Sequence, residues 1–161
     1  MNRYIGTKTI NAKPMSRLAY NDLRGWEVPA DENPADDGYL VEYSDGGKAN
    51  HPNFAGYISW SPKDVFERSY RRSDSLTFGE ALELLKAGKK VARAGWNGKG
   101  MFLFLVPGSN FKANRAPLLG IYPEGTEINY CPHIDMKTAD DKFVPWLASQ
   151  TDVLAEDWGV V

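Results

Sequence analysis

The chain has 161 residues, a net charge of -2 and interspersed acidic and basic side chains, which argues against a duplex-DNA binder, since such proteins need a broad cationic face. Its single cysteine cannot close an intrachain disulfide and, with only two histidines, offers too few ligands for a structural zinc site, so no metal or cofactor is expected. The longest apolar run, 101–107, is far shorter than a membrane span, which predicts a cytoplasmic protein that contacts no membrane.

The beginning of the chain predicts alternating strands and helices. "RYIGTKTINAKPM" alternates as a strand does, and Met15, Leu18 and Leu23 then follow a helical spacing that Gly25 can end. "EVPADENPADDG" is rich in turn-forming and acidic residues and predicts a solvent-facing loop, which "YLVEYSDGG" follows as a strand.

A further strand and helix are predicted within "GYISWSPKDVFERSY". Ser61 is a candidate N-cap, and Pro62 suits the first helical position. Val65, Phe66 and Tyr70 are predicted to form the buried side of this helix. The polar stretch "RSYRRSDSL" follows, and we place there the boundary between a small α+β domain over residues 1–72 and a second domain over residues 75–161.

The second half opens with the clearest helix signal of the chain. In "TFGEALELLKAGKK", Thr77 and Glu80 have the spacing of a capping box, and Gly88 is placed to end the helix. The residues between them repeat on one face at helical spacing, namely Phe78, Ala81, Leu82 and Leu85. This pattern predicts a short amphipathic helix that covers one face of a sheet.

The sheet itself is predicted from two hairpins. "KKVARA" and "MFLFLV" flank a glycine-rich turn, and "HIDMKTADDKFVPW" turns at residues 138–141. Between them, 107–132 is expected to be a long surface excursion with at most a short strand near Tyr122. Ser149 and Asp152 suggest a last helical turn before a strand through Trp158. The predicted fold class is therefore α+β, with a small antiparallel sheet and a short helix packed on it.

Catalytic chemistry is poorly represented. Cys131 and His133 lie close in sequence, but they form a weak candidate for a nucleophile and base, and a lone thiol is more often simply packed. No nucleophile elbow, zinc-protease helix, calcium loop or phosphate-binding loop motif occurs.

The turn "RAGWNGKG" combines residue types that suit a nucleotide. Trp96 offers a surface for base stacking, Asn97 can donate to and accept from a base edge, and Arg93 and Lys99 can bind phosphate oxygens. The alternative is purely structural: Asn97 begins a hairpin turn, Trp96 packs across the strands and Lys99 lies in solvent.

Further groups converge on this turn if the second hairpin pairs beside the first. Phe102 is another stacking surface, His133 lies two residues from Asp135, and Asp135 or Asp152 could bind a ribose diol. The structural alternative makes Asp152 an ordinary residue of the first turn of a short helix.

The order of motifs from Thr77 to Trp158 resembles the phage Thoeris anti-defence proteins of the second type. The resemblance rests on "TFGEALELLKAGKKVARAGWNGKGMFLFLVPGS" and "PHIDMKTADDKFVPWLASQTDVLAEDW". It implies a non-enzymatic sponge, a homotetramer in the host bacterial cytoplasm that sequesters cyclic ADP-ribose isomers of the Thoeris defence. Some members of the family also hold the cyclic dinucleotides of the CBASS defence.

The resemblance implies that a set of residues of the second domain contacts ligand, namely Arg93, Trp96, Asn97, Lys99, Phe102, His133, Asp135 and Asp152. It does not cover residues 1–72, which are similar to a small accessory domain of phage and prophage proteins. Two other interpretations stay open: a hydrolase or transferase that acts through Cys131, His133 or Asp135, and a structural or protein-interaction module.

Overall fold

The chain folds into two compact units, Met1–Arg71 and Arg72–Val161. A computed structural model describes residues 1–4, 6–96 and 99–161. Both units combine antiparallel sheets with a few short helices, which confirms the α+β class. No helix in these described ranges has the length and hydropathy that a bilayer crossing requires.

The first unit is a three-stranded antiparallel sheet with two helices. Its elements are β1 (Ile10–Pro14), α1 (Arg17–Arg24), β2 (Gly38–Tyr43), β3 (Tyr57–Pro62) and α2 (Lys63–Ser69), and the strand order is β1-β2-β3. The hydroxyl of Ser16 caps α1, and Gly25 ends it at φ 67°, as predicted. Tyr20 of α1 packs on Leu40 and Ile58 to form the core.

The loop before β3 is ordered by one asparagine. The side-chain amide of Asn50 donates to the carbonyl of Ile58 at 2.9 Å, and its oxygen accepts from the N–H of Ile58 at 2.8 Å. The pair satisfies backbone groups at the free edge of β3, because an edge strand otherwise presents unpaired donors and acceptors. A structural role thus accounts for Asn50.

The predicted start of α2 is wrong by one residue. Ser61 lies in β3, where it pairs with Tyr39, and the N-cap residue is Pro62, whose cap makes no side-chain hydrogen bond. The strand continues to the helix without a break, so Ser61 is not free to cap. Val65 was predicted to be buried but is 42% exposed, whereas Phe66 stacks on Tyr39 with ring centroids 4.0 Å apart.

The second unit is built on a five-stranded antiparallel sheet. Its strands, in spatial order, are β10 (Trp158–Val160), β4 (Val91–Arg93), β5 (Phe102–Val106), β8 (His133–Lys137) and β9 (Phe143–Pro145). The pairing of β4 with β5 and of β8 with β9 confirms the two predicted hairpins, and the pairing of β5 with β8 places them side by side.

One helix covers one face of this sheet. In α3 (Phe78–Lys86), both hydrogen bonds of the predicted capping box form between Thr77 and Glu80, and Gly88 follows the helix at φ 78°. The core beneath α3 consists of fully or nearly fully buried residues, namely Leu76, Ala81, Leu85, Val91, Leu103 and Trp158. The short helix α5 (Gln150–Val153) begins at the predicted Ser149 cap.

The excursion between β5 and β8 is more regular than predicted. It contains a separate two-stranded sheet, β6 (Ser109–Lys112) and β7 (Glu127–Tyr130), joined through the irregular helical turn α4 (Leu118–Ile121). Tyr122, the expected strand position, forms only an isolated bridge with Leu119. The prolines of this segment lie outside both strands, so they do not prevent the pairing.

Candidate functional site

Arg93 ends β4 on the helix-covered side of the sheet and binds two carboxylates there. Its Nε donates to Asp157 Oδ1 at 2.8 Å, and its Nη1 donates to Asp152 Oδ1, also at 2.8 Å. The side chains are largely buried, with 18% of Arg93, 16% of Asp152 and 33% of Asp157 exposed. The guanidinium of Arg93 thus connects the end of β4 to α5 through Asp152, and to the residue before β10 through Asp157.

Asp157 also fixes the turn that follows Arg93. Its Oδ2 accepts from the N–H of Gly95 at 2.8 Å, and its carbonyl accepts from the N–H of Ala94 at 3.0 Å. A Cβ on Gly95 would lie 3.1 Å from Asp157 Oδ2, so the absence of a side chain permits this close approach. Residues 94–96 form one turn of 3-10 helix as a result.

Trp96 lies at the end of this turn and packs on the edge of the core. Its ring meets that of Trp158 edge-on, with centroids 5.3 Å apart and an interplanar angle of 78°. The indole N–H of Trp158 in turn donates to the carbonyl of Asp152 at 3.0 Å. Trp96 is half-buried, so only part of its surface is open to a ligand.

Arg93, Asp152 and Asp157, here called the Arg93 cluster, stabilise one another electrostatically. The hydrogen bond from Arg93 is the main reason that the pKa of Asp157 lies below its ordinary value, and burial opposes that shift. Burial raises the pKa of Asp152, but hydrogen bonds from Ser149 and Arg93 outweigh it, so the net shift is downward. The bond to Asp157, followed by that to Asp152, raises the pKa of Arg93. The cluster is therefore fully ionised at neutral pH.

A different set of side chains lies on the opposite side of the sheet. Leu103, Leu105, Ile134 and Met136 pack toward the core, and side chains alternate along a strand. The intervening residues of β5, β8 and β9 thus form a second surface, here called the outer face, which consists of Phe102, Phe104, Val106, His133, Asp135, Lys137, Phe143 and Pro145. Strand register places these residues in cross-strand rows.

Three phenylalanines form the centre of the outer face. The ring centroids of Phe102 and Phe104 are 6.1 Å apart, and those of Phe104 and Phe143 are 5.8 Å apart. Phe143 is 61% exposed although it is a large apolar side chain. A contiguous cluster of aromatic side chains that is partly open to solvent is a candidate interaction surface.

Two lysines flank the aromatic centre. Lys90 Nζ lies 4.8 Å from the centroid of the Phe102 ring, and Lys137 Nζ lies 6.0 Å from it. Lys137 Nζ also forms an ion pair with Asp141 Oδ1 at 2.5 Å and donates to the carbonyl of Gly100 at 3.3 Å. The second contact connects the outer face to the glycine-rich turn.

His133 and Asp135 lie at the other end of the outer face. His133 Nδ1 is 3.1 Å from the carbonyl oxygen of Cys131, and Nε2 is 3.6 Å from Asp135 Oδ1. Because a carbonyl only accepts, Nδ1 carries the proton in that contact. Asp135 Oδ1 is shielded from solvent and has no hydrogen-bond partner among the described residues.

The structure divides the predicted site residues between the two sides of the sheet. Arg93, Trp96 and Asp152 cluster on the helix-covered side, whereas Phe102, His133 and Asp135 belong to the outer face. Lys99 is exposed in the connecting turn. Asn97 falls outside the described residues.

The hydrolase interpretation depends on Cys131, His133 and Asp135. The thiol of Cys131 is exposed, and His133 approaches the backbone carbonyl of Cys131. Among the described residues, no group of three His, Cys, Asp or Glu side chains is arranged to hold a metal ion.

Sequence analysis missed four residues of these two surfaces: Lys90, Phe104, Phe143 and Asp157. The alternation in "MFLFLV" could have indicated Phe104, because it shares a face with Phe102. No local pattern could have indicated Asp157, because it is 64 positions away in sequence from Arg93, the residue that it binds. Phe143 joins the aromatic row only through the pairing of β8 with β9.

Both surfaces lie within a segment that matches a known family. The model of the Thoeris anti-defense 2-like domain matches residues 76–161. This chain belongs to that family. Thoeris anti-defense 2 of Bacillus phage SP01 is 49% identical over 86 residues, which are 53% of this chain and 94% of the relative. The predicted family is confirmed, and the first unit lies outside the match.

Proposed function

We propose that this protein is a phage anti-defence sponge that binds a cyclic ADP-ribose isomer made by the Thoeris defence and holds it intact. The observation that carries the proposal is the family match over 76–161, which contains the Arg93 cluster and nearly the whole of the second unit. The name of the phage SP01 relative states the same anti-defence role.

The chemistry of the second unit supports a ligand of this class. A cyclic ADP-ribose isomer presents a planar base, ribose hydroxyls and a diphosphate. The phenylalanines of the outer face offer stacking surfaces, Lys90 and Lys137 offer cations, and Asp135 offers a carboxylate. Stacking on an aromatic side chain contributes about 1–3 kcal/mol per base.

Sequestration requires affinity and no chemical step. A nanomolar Kd corresponds to about -12 kcal/mol, which stacking and charge-assisted hydrogen bonds can supply when most of the ligand is buried. The proposal assigns no role as base or nucleophile to His133 and Cys131, because sequestration leaves the ligand chemically unchanged.

The proposed assembly is a homotetramer. Leu147 is 90% exposed and Leu154 is 77% exposed, and large apolar side chains exposed to this degree favour burial against a partner.

We place the protein in the host bacterial cytoplasm, where the immune signal is made, and propose no contact with membranes or duplex DNA. The cyclic dinucleotides of CBASS are a second proposed ligand class, and the unit before residue 72 is a proposed accessory domain.

The experiment that tests the proposal separates capture from conversion. The purified protein is incubated with a panel of cyclic ADP-ribose isomers and cyclic dinucleotides, filtered free of unbound nucleotide and heat-denatured. Intact ligand in stoichiometric amount is the expected product. A converted nucleotide would instead establish the hydrolase or transferase, and the absence of any retained nucleotide would favour a structural or protein-interaction module.

A further inference from the structure

We infer that the open edge of β1, in the first unit, pairs with the same strand of a second copy of this chain, in an antiparallel arrangement centred on Ala12. This inference goes beyond the proposed nucleotide binding, because the first unit lies outside the family match. It assigns an interaction surface and its partner to a unit for which the sequence indicated no chemistry.

The register of the three strands shows which backbone groups of β1 point away from the sheet. Asn50 binds both backbone groups of Ile58, so these groups face away from β2. Glu42 lies opposite Ile58 and therefore directs its own N–H and C=O toward β1, where Asn11 lies opposite it. Backbone groups alternate along a strand, so the neighbours of Asn11 direct theirs to the open edge. These neighbours are Ile10 and Ala12.

The two edges of this sheet differ in how they are covered. At the edge of β3, the side-chain amide of Asn50 takes the place of a neighbouring strand. Along β1, no described residue forms a hydrogen bond with the outward N–H and C=O groups of Ile10 and Ala12. The residues from Asn11 to Pro14 are all exposed. An uncovered edge of this kind is a template for an additional strand.

The backbone of β1 is complementary to a second copy of itself. In a twofold antiparallel pair centred on Ala12, the two Ala12 residues exchange both of their backbone hydrogen bonds. The N–H of Ile10 then donates to the carbonyl of the partner's Pro14, and the same bond forms in the opposite direction. The pairing joins the two three-stranded sheets into one.

The side chains of β1 also suit this register. Lys13 lies opposite the partner's Asn11, so the two lysines are not directly opposed. The amide of Asn11 donates to Glu42 Oε2 at 3.3 Å within each copy, so this carboxylate lies beside Asn11 on the same face of the sheet. Each lysine therefore approaches a carboxylate of the other copy, which favours the pairing.

Lysine and proline often protect an edge strand from pairing, but their positions in β1 leave the edge usable. Pro14 is the last residue of the strand, where it lacks a donor while its carbonyl still accepts. Lys13 directs its backbone groups toward β2, where it lies opposite Leu40. Neither residue therefore removes the donor and acceptor of Ala12.

The expected pairing occurs within a larger assembly. A pair of five-residue strands is small compared with a stable protein interface, so it depends on a high local concentration. The proposed homotetramer supplies this condition, because linked copies meet at an effective concentration of roughly millimolar. Cross-linking is therefore a sharper test of the pairing than a change in mass.

Cysteine cross-linking in the full chain tests the pairing directly. Ala12→Cys is compared with Ala30→Cys, since Ala30 is another exposed alanine of the first unit, and both carry Cys131→Ser because the native thiol is exposed. The two Ala12 Cα atoms of the pair lie about 5.5 Å apart, within the range of a disulfide. Mild oxidation should link Ala12→Cys into dimers at least about tenfold faster than Ala30→Cys on non-reducing gels.

Amide hydrogen exchange at Ile10 gives a second test, which needs no added thiol. Pairing protects the N–H of Ile10, so its exchange should be slow in the wild type. Ala12→Pro removes an N–H that β2 does not use, which breaks the pairing while the first unit stays folded. Ala12→Val keeps that N–H and is the matched control. Exchange at Ile10 should be at least about tenfold faster in Ala12→Pro than in Ala12→Val.

Three results would overturn the inference. Equal cross-linking rates for the two cysteine variants would mean that β1 does not meet its own copy. Fast exchange at Ile10 in the wild type would mean that the edge is open to water. Slow exchange at Ile10 that Ala12→Pro leaves unchanged, in a variant with a wild-type unfolding midpoint, would mean that another group covers the edge. Neither test uses a nucleotide, so a failure of the proposed sequestration leaves both readable.

Discussion

The two sides of the five-stranded sheet differ in how far their side chains are buried and paired with other groups. On the helix-covered side, Leu85, Val91 and Leu103 are fully buried, and Arg93 is paired with two carboxylates. On the outer face, Phe143 is mostly exposed, and Asp135 Oδ1 has no hydrogen-bond partner among the described residues. The comparison teaches that the helix-covered side supplies the buried core of the second unit, whereas the outer face leaves a large aromatic side chain in solvent.

The largest expected difference between the two sides concerns side-chain truncation. Leu103→Ala should lower the free energy of unfolding by about 2–5 kcal/mol, because it leaves a cavity under α3. Phe143→Ala should change it by less than about 1 kcal/mol, since the ring is mostly exposed. Urea denaturation followed by tryptophan fluorescence measures both. Equal losses in the two variants would contradict the division of roles between the two sides.

The next largest effect concerns the Arg93 cluster. Arg93→Met should lower the free energy of unfolding by about 1–2 kcal/mol, because it leaves Asp152 and Asp157 without their cation in a partly buried setting. Arg72→Met provides a matched control, since Arg72 pairs with Asp74 while its side chain is 83% exposed. The control should change stability by less than about 0.5 kcal/mol. Similar losses for both variants would mean that burial adds nothing to the Arg93 pairs.

Local signals predicted the elements of the second unit well. Thr77 and Glu80 are three positions apart, so their capping box was recognisable before any tertiary contact was known. The strand pairs around the two turns were also predictable, because short connections favour antiparallel neighbours. The β6–β7 hairpin was missed because its strands are four residues each and are separated by a proline- and glycine-containing segment.

The candidate site was less predictable, because sequence does not show which face of a sheet a side chain occupies. Arg93 and Phe102 appeared to belong to one nucleotide-binding turn, yet β4 and β5 direct them to opposite sides. The carboxylate partners of Arg93 lie 59 and 64 positions away, so the sequence could not reveal that its donors are engaged. Whether the predicted residues touch ligand stays a prediction.

The smallest expected effect is a dependence of stability on pH that arises from the same cluster. The pKa of Asp157 is lowered in the folded protein, chiefly by its bond from Arg93. A group of this kind stabilises the fold above its unfolded pKa of about 3.9 and loses that contribution as the pH falls through its lower folded pKa. Asp157→Asn should therefore be less stable than the wild type at neutral pH, by up to about 1 kcal/mol.

The difference between the wild type and Asp157→Asn should shrink as the pH falls below about 4 and through the lower folded pKa of Asp157, because the carboxylate becomes protonated over that range whereas an asparagine carries no charge at any pH. Thermal unfolding midpoints measured between about pH 3 and pH 7 give the comparison. The pKa values of other carboxylates, including Asp152 and Asp140, are also lowered, so the wild type alone would not isolate Asp157. A difference that stays constant over this range would mean that Asp157 acts through its neutral hydrogen-bonding geometry at Gly95, rather than through its charge beside Arg93.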